Sequence, residues 1–203
     1  MTALPIMLYD ERTLTPSFGY VFDPKWLDPY ESIVSILWKL VLMNRLSGHM
    51  VISQLAKDRN IDPYVGIAPS QSAVDIRHLH HALGLRLKIL RSSLARDSSM
   101  SDRSTYFRYC RKCLWRGYHG VVHQSEMVKA CPVHGCKLED QCGNCGARTP
   151  YWLNACLLDT PYRCGSCRKL YASCSPSIAN RRPLGRKACV AITRLRTNHR
   201  LYF

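Results

Sequence analysis

Four short pairs of metal-competent side chains stand in a regular array: Cys110-Arg111-Lys112-Cys113, Cys131-Pro132-Val133-His134, Cys142-Gly143-Asn144-Cys145 and Cys164-Gly165-Ser166-Cys167. A two-residue gap is the spacing at which a tight turn aims two ligands at one ion. Zn²⁺ takes four such ligands in a tetrahedron, so two turns complete one site. In chain order, 17 residues separate Cys113 from Cys131 and 18 separate Cys145 from Cys164, both within the range of zinc ribbons and fingers. The spacing therefore predicts two structural Zn²⁺ ions per chain. Cys110, Cys113, Cys131 and His134 would hold the first, and Cys142, Cys145, Cys164 and Cys167 the second. The competing order is an interleaved cross-brace that joins the first pair to the third and the second to the fourth. Gly143 and Gly165, each just after the first cysteine of its pair, are expected to shape the turns.

Four protein ligands leave no position for water, so ions held in this way would stabilise the fold and do no chemistry. A zinc hydrolase or deaminase needs an open position and a nearby glutamate as proton shuttle. No His-x-Glu or HExxH element occurs, and Glu126, Glu139, Asp140 and Asp159 are not placed as such a motif requires. There is no phosphate loop of the Walker type either, so no catalytic residue is assigned. Cys136, Cys156, Cys174 and Cys189 fall outside the array. Cys136 is the nearest substitute ligand, and His119 and His123 are competitors from the loop of the first finger. The triplet His78, His80 and His81 points in different directions on a helix and makes no third site.

These residues belong to a chain of 203 with 46% hydrophobic and 21% charged positions, enough to bury a core in one or two small units. The longest apolar run, residues 33–43, includes Ser35 and Lys39 and is far shorter than the roughly 20 residues that cross a bilayer. No secretion signal is recognisable at the start, so the expected compartment is the reducing (bacterial) cytoplasm, where eleven thiols favour metal over disulfides.

The formal charge of +15 is uneven. Residues 1–100 hold eleven bases and nine acids, residues 101–175 eleven and five, and residues 176–203 seven and none. A cysteine-bearing half and tail of this charge face polyanions, and nucleic acid is the natural partner.

Helical periodicity in the first hundred residues must position that half. Residues 30–46 carry a wide apolar stripe around Ile33, Ile36, Leu37 and Leu40, with Asp28 as the expected cap. A second helix is expected over 48–59 behind Ser47. A third spans 72–83, opened by Ser72 and Asp75, and a fourth spans 86–96 beyond a break at Gly84. The last pair has the outline of a helix-turn-helix, which makes Arg86, Lys88, Arg91 and Arg96 candidates for nucleic-acid contact. Arg181, Arg182, Arg186 and Lys187 are candidates in the tail, expected to be a solvated arm or an element that forms against a nucleic-acid backbone. The serine-rich residues 92–104 read as a linker. Phe107 and the aromatics near it are assigned to the miniature core of a finger in preference to base stacking.

The fold class predicted is mostly α with small zinc-binding modules. A helical, helix-turn-helix-like domain over 1–100 is followed by two zinc fingers over 101–175 (the first 106–138, the second 139–172) and a basic tail over 176–203.

The order of features, Leu4-Pro5-Ile6, then Pro29-Tyr30-Glu31-Ser32, Tyr109-Cys110-Arg111-Lys112-Cys113-Leu114, Cys131-Pro132-Val133-His134-Gly135 and Cys142-Gly143-Asn144-Cys145-Gly146, resembles the TniQ family of transposon target-selection adaptors. The resemblance covers roughly residues 4–172 and implies a non-catalytic bridging role. The chain would recognise a target, either a CRISPR guide-RNA effector complex or a DNA attachment site, and recruit an AAA+ ATPase transposition regulator. It leaves room for a homodimer. Members that read DNA directly continue well past the second finger. Only about 30 residues follow it here, which points to the CRISPR-associated type or to a truncated relative. The alternative of another class is a stand-alone zinc-finger and helix-turn-helix transcription regulator, distinguished by autonomous sequence-selective duplex binding.

Overall fold

In the computed structural model, residues 19–94, 102–178 and 183–198 are described. Their regular structure is helical: α1 Ile33–Asn44, α2 Gly48–Leu55, α3 Ile76–Leu83, α4 Leu87–Ser93, α5 Arg111–Trp115, α6 Ala155–Leu158 and α7 Arg186–Asn198. Short 3-10 turns occur at Pro24–Trp26 and Val121–Gln124. Among the described residues, β pairing is confined to isolated antiparallel bridges, and no helix is long and apolar enough to cross a membrane. Among the described residues the fold is mostly helical with two four-donor clusters, as the periodicity and the cysteine spacing lead one to expect. The motif at Leu4, Pro5 and Ile6 lies outside the described residues, as do the centre of the serine-rich stretch, Arg96, Arg181 and Arg182.

Every residue of α1 from Ile33 to Val41 is buried, so this helix is the axis around which the rest packs. Its cap is Ser32, whose Oγ accepts the Ser35 amide at 3.3 Å. Asp28 does not fill that role, because Tyr30 takes φ +59° and Glu31 pairs with Gly120, which holds the chain out of helical conformation until Ser32. Asp28 instead accepts the amide of Leu184 at 2.8 Å, pinning the lead-in to α7 from 156 positions away. Trp38 packs against Tyr162 and Phe107, with ring centres at 4.8 and 5.4 Å. Its indole N–H donates to the Leu157 carbonyl at 2.8 Å. Lys39 is buried as well, and its ammonium is satisfied by the Glu31 carboxylate and by the Trp26 carbonyl.

Like α1, the next three helices are shorter than their periodicity suggests. α2 stops at Leu55 because Ala56 pairs with Val74 and the Lys57 amide donates to Ala73. Residues 71–73 form a turn ahead of that bridge, with the Ala73 amide donating to the Ser70 Oγ at 3.3 Å, so α3 begins only after Asp75, whose carboxylate accepts the His78 amide at 3.0 Å. α4 ends at Ser93, where Leu94 turns extended and is buried. At the start of α2, Gly48 lies so close to α6 that a Cβ would sit 2.4 Å from the Ala155 carbonyl.

The principal core joins α1–α4 to Leu153, Leu157, Leu158, Tyr162, Cys164 and Tyr171, so it runs from the helices into the second cysteine module without a break. A smaller core gathers Cys110, Cys113, Tyr118, Val121, Val122 and Cys131 of the first module with Leu184 and Ile192 from the C-terminal segment.

Candidate metal centres and basic surfaces

Three of the four ligand pairs are built by the same backbone turn. The amide one position past the second ligand donates to the carbonyl of the first: Gly135 to Cys131 at 2.8 Å, Gly146 to Cys142 at 2.8 Å and Arg168 to Cys164 at 2.9 Å. The first ligand's own amide then donates five positions on, to the carbonyls of Cys136, Ala147 and Lys169. Closing such a turn requires a left-handed residue just after the second ligand. Gly135, Gly146 and Arg168 supply it with φ of +65°, +73° and +59°. Gly143 and Gly165, expected to bend the turns, have ordinary backbone angles. Gly143 serves instead as a floor for Arg111, whose Nη2 would lie 2.3 Å from a Cβ there. The first pair differs in opening the short helix α5, in which the Leu114 amide donates to the Cys110 carbonyl at 3.0 Å.

These turns bring together two groups of four donors, Cys110, Cys113, Cys131 and His134, and Cys142, Cys145, Cys164 and Cys167, with all donor atoms of each group within 4.8 Å of one another. The pairs combine in chain order, so the interleaved arrangement is absent. In the first group His134 Nδ1 lies 3.4, 3.3 and 3.6 Å from the sulfurs of Cys110, Cys113 and Cys131, and Cys113 and Cys131 are 3.5 Å apart. In the second, Cys142 to Cys167 and Cys145 to Cys164 both measure 3.7 Å. A tetrahedron with Zn–S near 2.3 Å and Zn–N near 2.0 Å has edges of about 3.8 Å between sulfurs and about 3.5 Å from sulfur to nitrogen, so the donor sets fit a metal of that size. Cys136 Sγ touches Cys110 Sγ at 3.3 Å but stands outside the group.

Electrostatics within the first group point the same way. The Cys131 thiol is pulled down to about 3 by contacts from Cys110 and Cys113, aided by the Val133 and His134 amides. Cys113 is pushed up by its contacts to Cys110 and Cys131 and by burial. Thiols this close compete for a single negative charge, and a central dication lets all three carry one. In the second group the Lys169 amide donates to Cys167 and helps draw its thiol down to about 6.

The two histidines that could have competed as ligands form an outer layer. The His123 Nδ1 accepts the Gly120 amide at 3.2 Å, which leaves its Nε2 proton facing the Cys131 sulfur at 3.7 Å. His119 lies away from both groups. Its Nε2 faces the Arg108 carbonyl at 2.8 Å and its Nδ1 meets the Ser32 hydroxyl at 2.6 Å, tying the first module to the cap of α1. Burial depresses both rings, with His119 well below its usual value and His123 to about 4, so both are neutral.

Of the basic residues singled out in the sequence, Arg86, Lys88 and Arg91 are exposed on α4 and just before it, beyond the left-handed Gly84 at φ +63°. Arg186 and Lys187 are exposed in the first turn of α7. The tail is not a free arm over its described length, because Ala188, Ile192 and Leu195 pack on the first module. Tyr109, Tyr118, Tyr151, Tyr162 and Phe107 are buried as core, whereas Tyr106, Trp115 and Trp152 are exposed.

Residues 26–138 match the TniQ family model, more than half of the chain. The chain belongs to the TniQ family. The match takes in α1–α5 and the whole first donor group and ends at Leu138, just before the second group begins. No curated protein matches the chain. TniQ proteins are transposition-associated adaptors.

Proposed function

We propose that this TniQ protein is a non-catalytic adaptor for DNA transposition, which recognises a target complex, either a guide-RNA effector or a DNA site, and recruits the AAA+ regulator. The observation that carries the reading is the pair of complete four-donor groups, the first inside the family match and the second directly after it. Each has the ligand number of a closed structural zinc site, and both are embedded in packing that would fix the surfaces around them. Two zinc ions would serve as staples, held by the eight residues of those groups, and the chemistry of transposition would belong to partners. The exposed bases on α4 and α7 supply the positive surface such a bridge needs on nucleic acid.

The test is a binding and integration assay with the purified chain. Metal analysis is expected to give two zincs per chain. The zinc-loaded protein is expected to retain the ATPase on a column together with a guide complex or target duplex, and integration in a reconstituted reaction is expected to require it. Failure to bind the ATPase and every nucleic-acid target at moderate salt overturns the adaptor reading. Autonomous, sequence-selective duplex binding without the ATPase favours the transcription-regulator alternative.

A further inference from the structure

A cleft of about 750 Å³ opens between the two cysteine modules, within the roughly 300–1,000 Å³ typical of ligand sites. Its walls are the outward residues of the ligand turns. Arg111 and Lys112 stand between the ligands of the first pair, Arg163 directly precedes Cys164, and Lys169 follows Cys167 by two. All four bases are exposed, and no acid lines the cleft. Arg111 is engaged by Glu139, which accepts its Nε and Nη2 at 3.0 and 2.8 Å and leaves it a neutralised spacer across Gly143. Among the described residues no carboxylate is paired with Lys112, Arg163 or Lys169.

Trp115, at the end of α5, stands at the rim with 54% of its surface exposed. Its indole N–H is anchored on the Cys174 sulfur, which fixes the ring edge while much of the ring remains accessible. Cations without counterions bind a chain of phosphates, and an anchored flat aromatic beside them is a surface on which an unpaired base stacks. A duplex keeps its bases inside and offers that ring nothing.

We propose that this cleft is a binding site for an unpaired stretch of nucleic acid, with Lys112, Arg163 and Lys169 on the phosphates and Trp115 stacked on a base. The site is separate from the basic faces of α4 and α7, and it does not depend on recruitment of an ATPase.

The test uses the full zinc-loaded chain and fluorescence anisotropy with labelled twelve-nucleotide oligo-U and oligo-dT, a duplex of equal length and a poly-glutamate peptide. The single strands are expected to bind, RNA and DNA alike if the shared phosphate and base chemistry suffices, and RNA alone if the 2′-hydroxyl contributes. Lys112→Ala with Lys169→Ala is expected to lower the salt slope by about 1.4, the share of two phosphate contacts on a single strand. Trp115→Ala is expected to weaken binding about tenfold without changing that slope, and Trp115→Phe to recover most of it. Lys57→Ala with Arg59→Ala, exposed bases that do not line the cleft, is expected to leave single-strand affinity within about twofold. Each variant must retain two metals, so a loss of binding cannot be a loss of fold. The proposal is overturned if the oligonucleotides do not bind, if their binding ignores all three cleft substitutions, or if duplex or poly-glutamate binds as well as the strands and with the same dependence on Trp115.

Discussion

The first metal module builds a core of its own, in which Tyr118, Val121, Val122, Val128 and Leu138 pack with Leu184 and Ile192. The second has none and lends Tyr162, Tyr171, Cys142 and Cys164 to the core of the helices. Both use the same turn to gather ligands, and they differ in what rests on them. The first is fastened to α1 by polar links at Ser32, Glu31 and His119 and by Phe107, which packs on Trp38, and it carries α7. The second lies directly under Trp38 and α6. Two donor groups gathered by nearly the same turns are thus integrated differently, with Cys142 and Cys164 in the principal core and Cys110, Cys113 and Cys131 in the smaller one.

Removing one ligand from each module should separate the two roles most widely, since structural zinc contributes on the order of 10 kcal/mol to the folding of small modules. Cys164→Ser is expected to lose one metal and to open amide exchange through α1 and α2. Cys131→Ser is expected to lose one metal and to open mainly residues 106–138 and α7. Equal loss of protection across the helices in both variants, read by hydrogen exchange with mass spectrometry, would erase the contrast.

Trp38→Ala should cost about 3–5 kcal/mol in urea unfolding, as for other large buried aromatics, because it vacates the contact between the helices and the second module. Ile192→Ala should cost about 2–4 kcal/mol and release α7 while the second module keeps its protection. Ile192 is fully buried and belongs to the first module's core alone.

Acid should act mainly on the first module. His119 and His123 are depressed by burial, His123 to about 4, so the unfolded chain takes up protons first as pH falls. Stability contributed by the neutral rings is complete above about pH 6.5 and drains away below it, at roughly 1.4 kcal/mol per pH unit for each ring. Urea midpoints from pH 7.5 to 5, with metal content checked at each point, should show this decline, and a flat profile would remove the histidines from the account. The smallest effect expected is about 1–2 kcal/mol for Ser32→Ala, which loses the cap of α1 and the partner of His119 Nδ1 together. A rise in exchange confined to the start of α1 and the loop at 117–124 is its signature.

What the sequence discloses follows the range over which each feature is determined. The ligand groups are legible because each turn is made by five or six consecutive residues, and the spacing between turns limits their pairing. The existence of α1 to α4 is legible from apolar periodicity, but their ends are not, because the bridge from Ala56 to Val74 and the bond from Leu184 to Asp28 join distant positions. Gly143 was expected to bend a turn because glycine is permissive, yet its smallness is what matters, toward an Arg111 that no local pattern connects to it. In the tail, Ala188, Ile192 and Leu195 form a helical stripe visible in the sequence, which the count of arginines overshadowed. The bases of the cleft had a signal too, since three of them occupy or directly follow the positions between and beside cysteine ligands.

Cys145 is exposed and Cys167 half-exposed, whereas the three sulfurs of the other group are sealed. A scavenger of metal, or an electrophile, therefore meets the outer tetrad first, and that tetrad underpins the helices. Under zinc starvation the molecule would come apart from its hydrophobic heart outward, leaving the enclosed ion and its attached carboxyl-terminal helix as the last ordered piece.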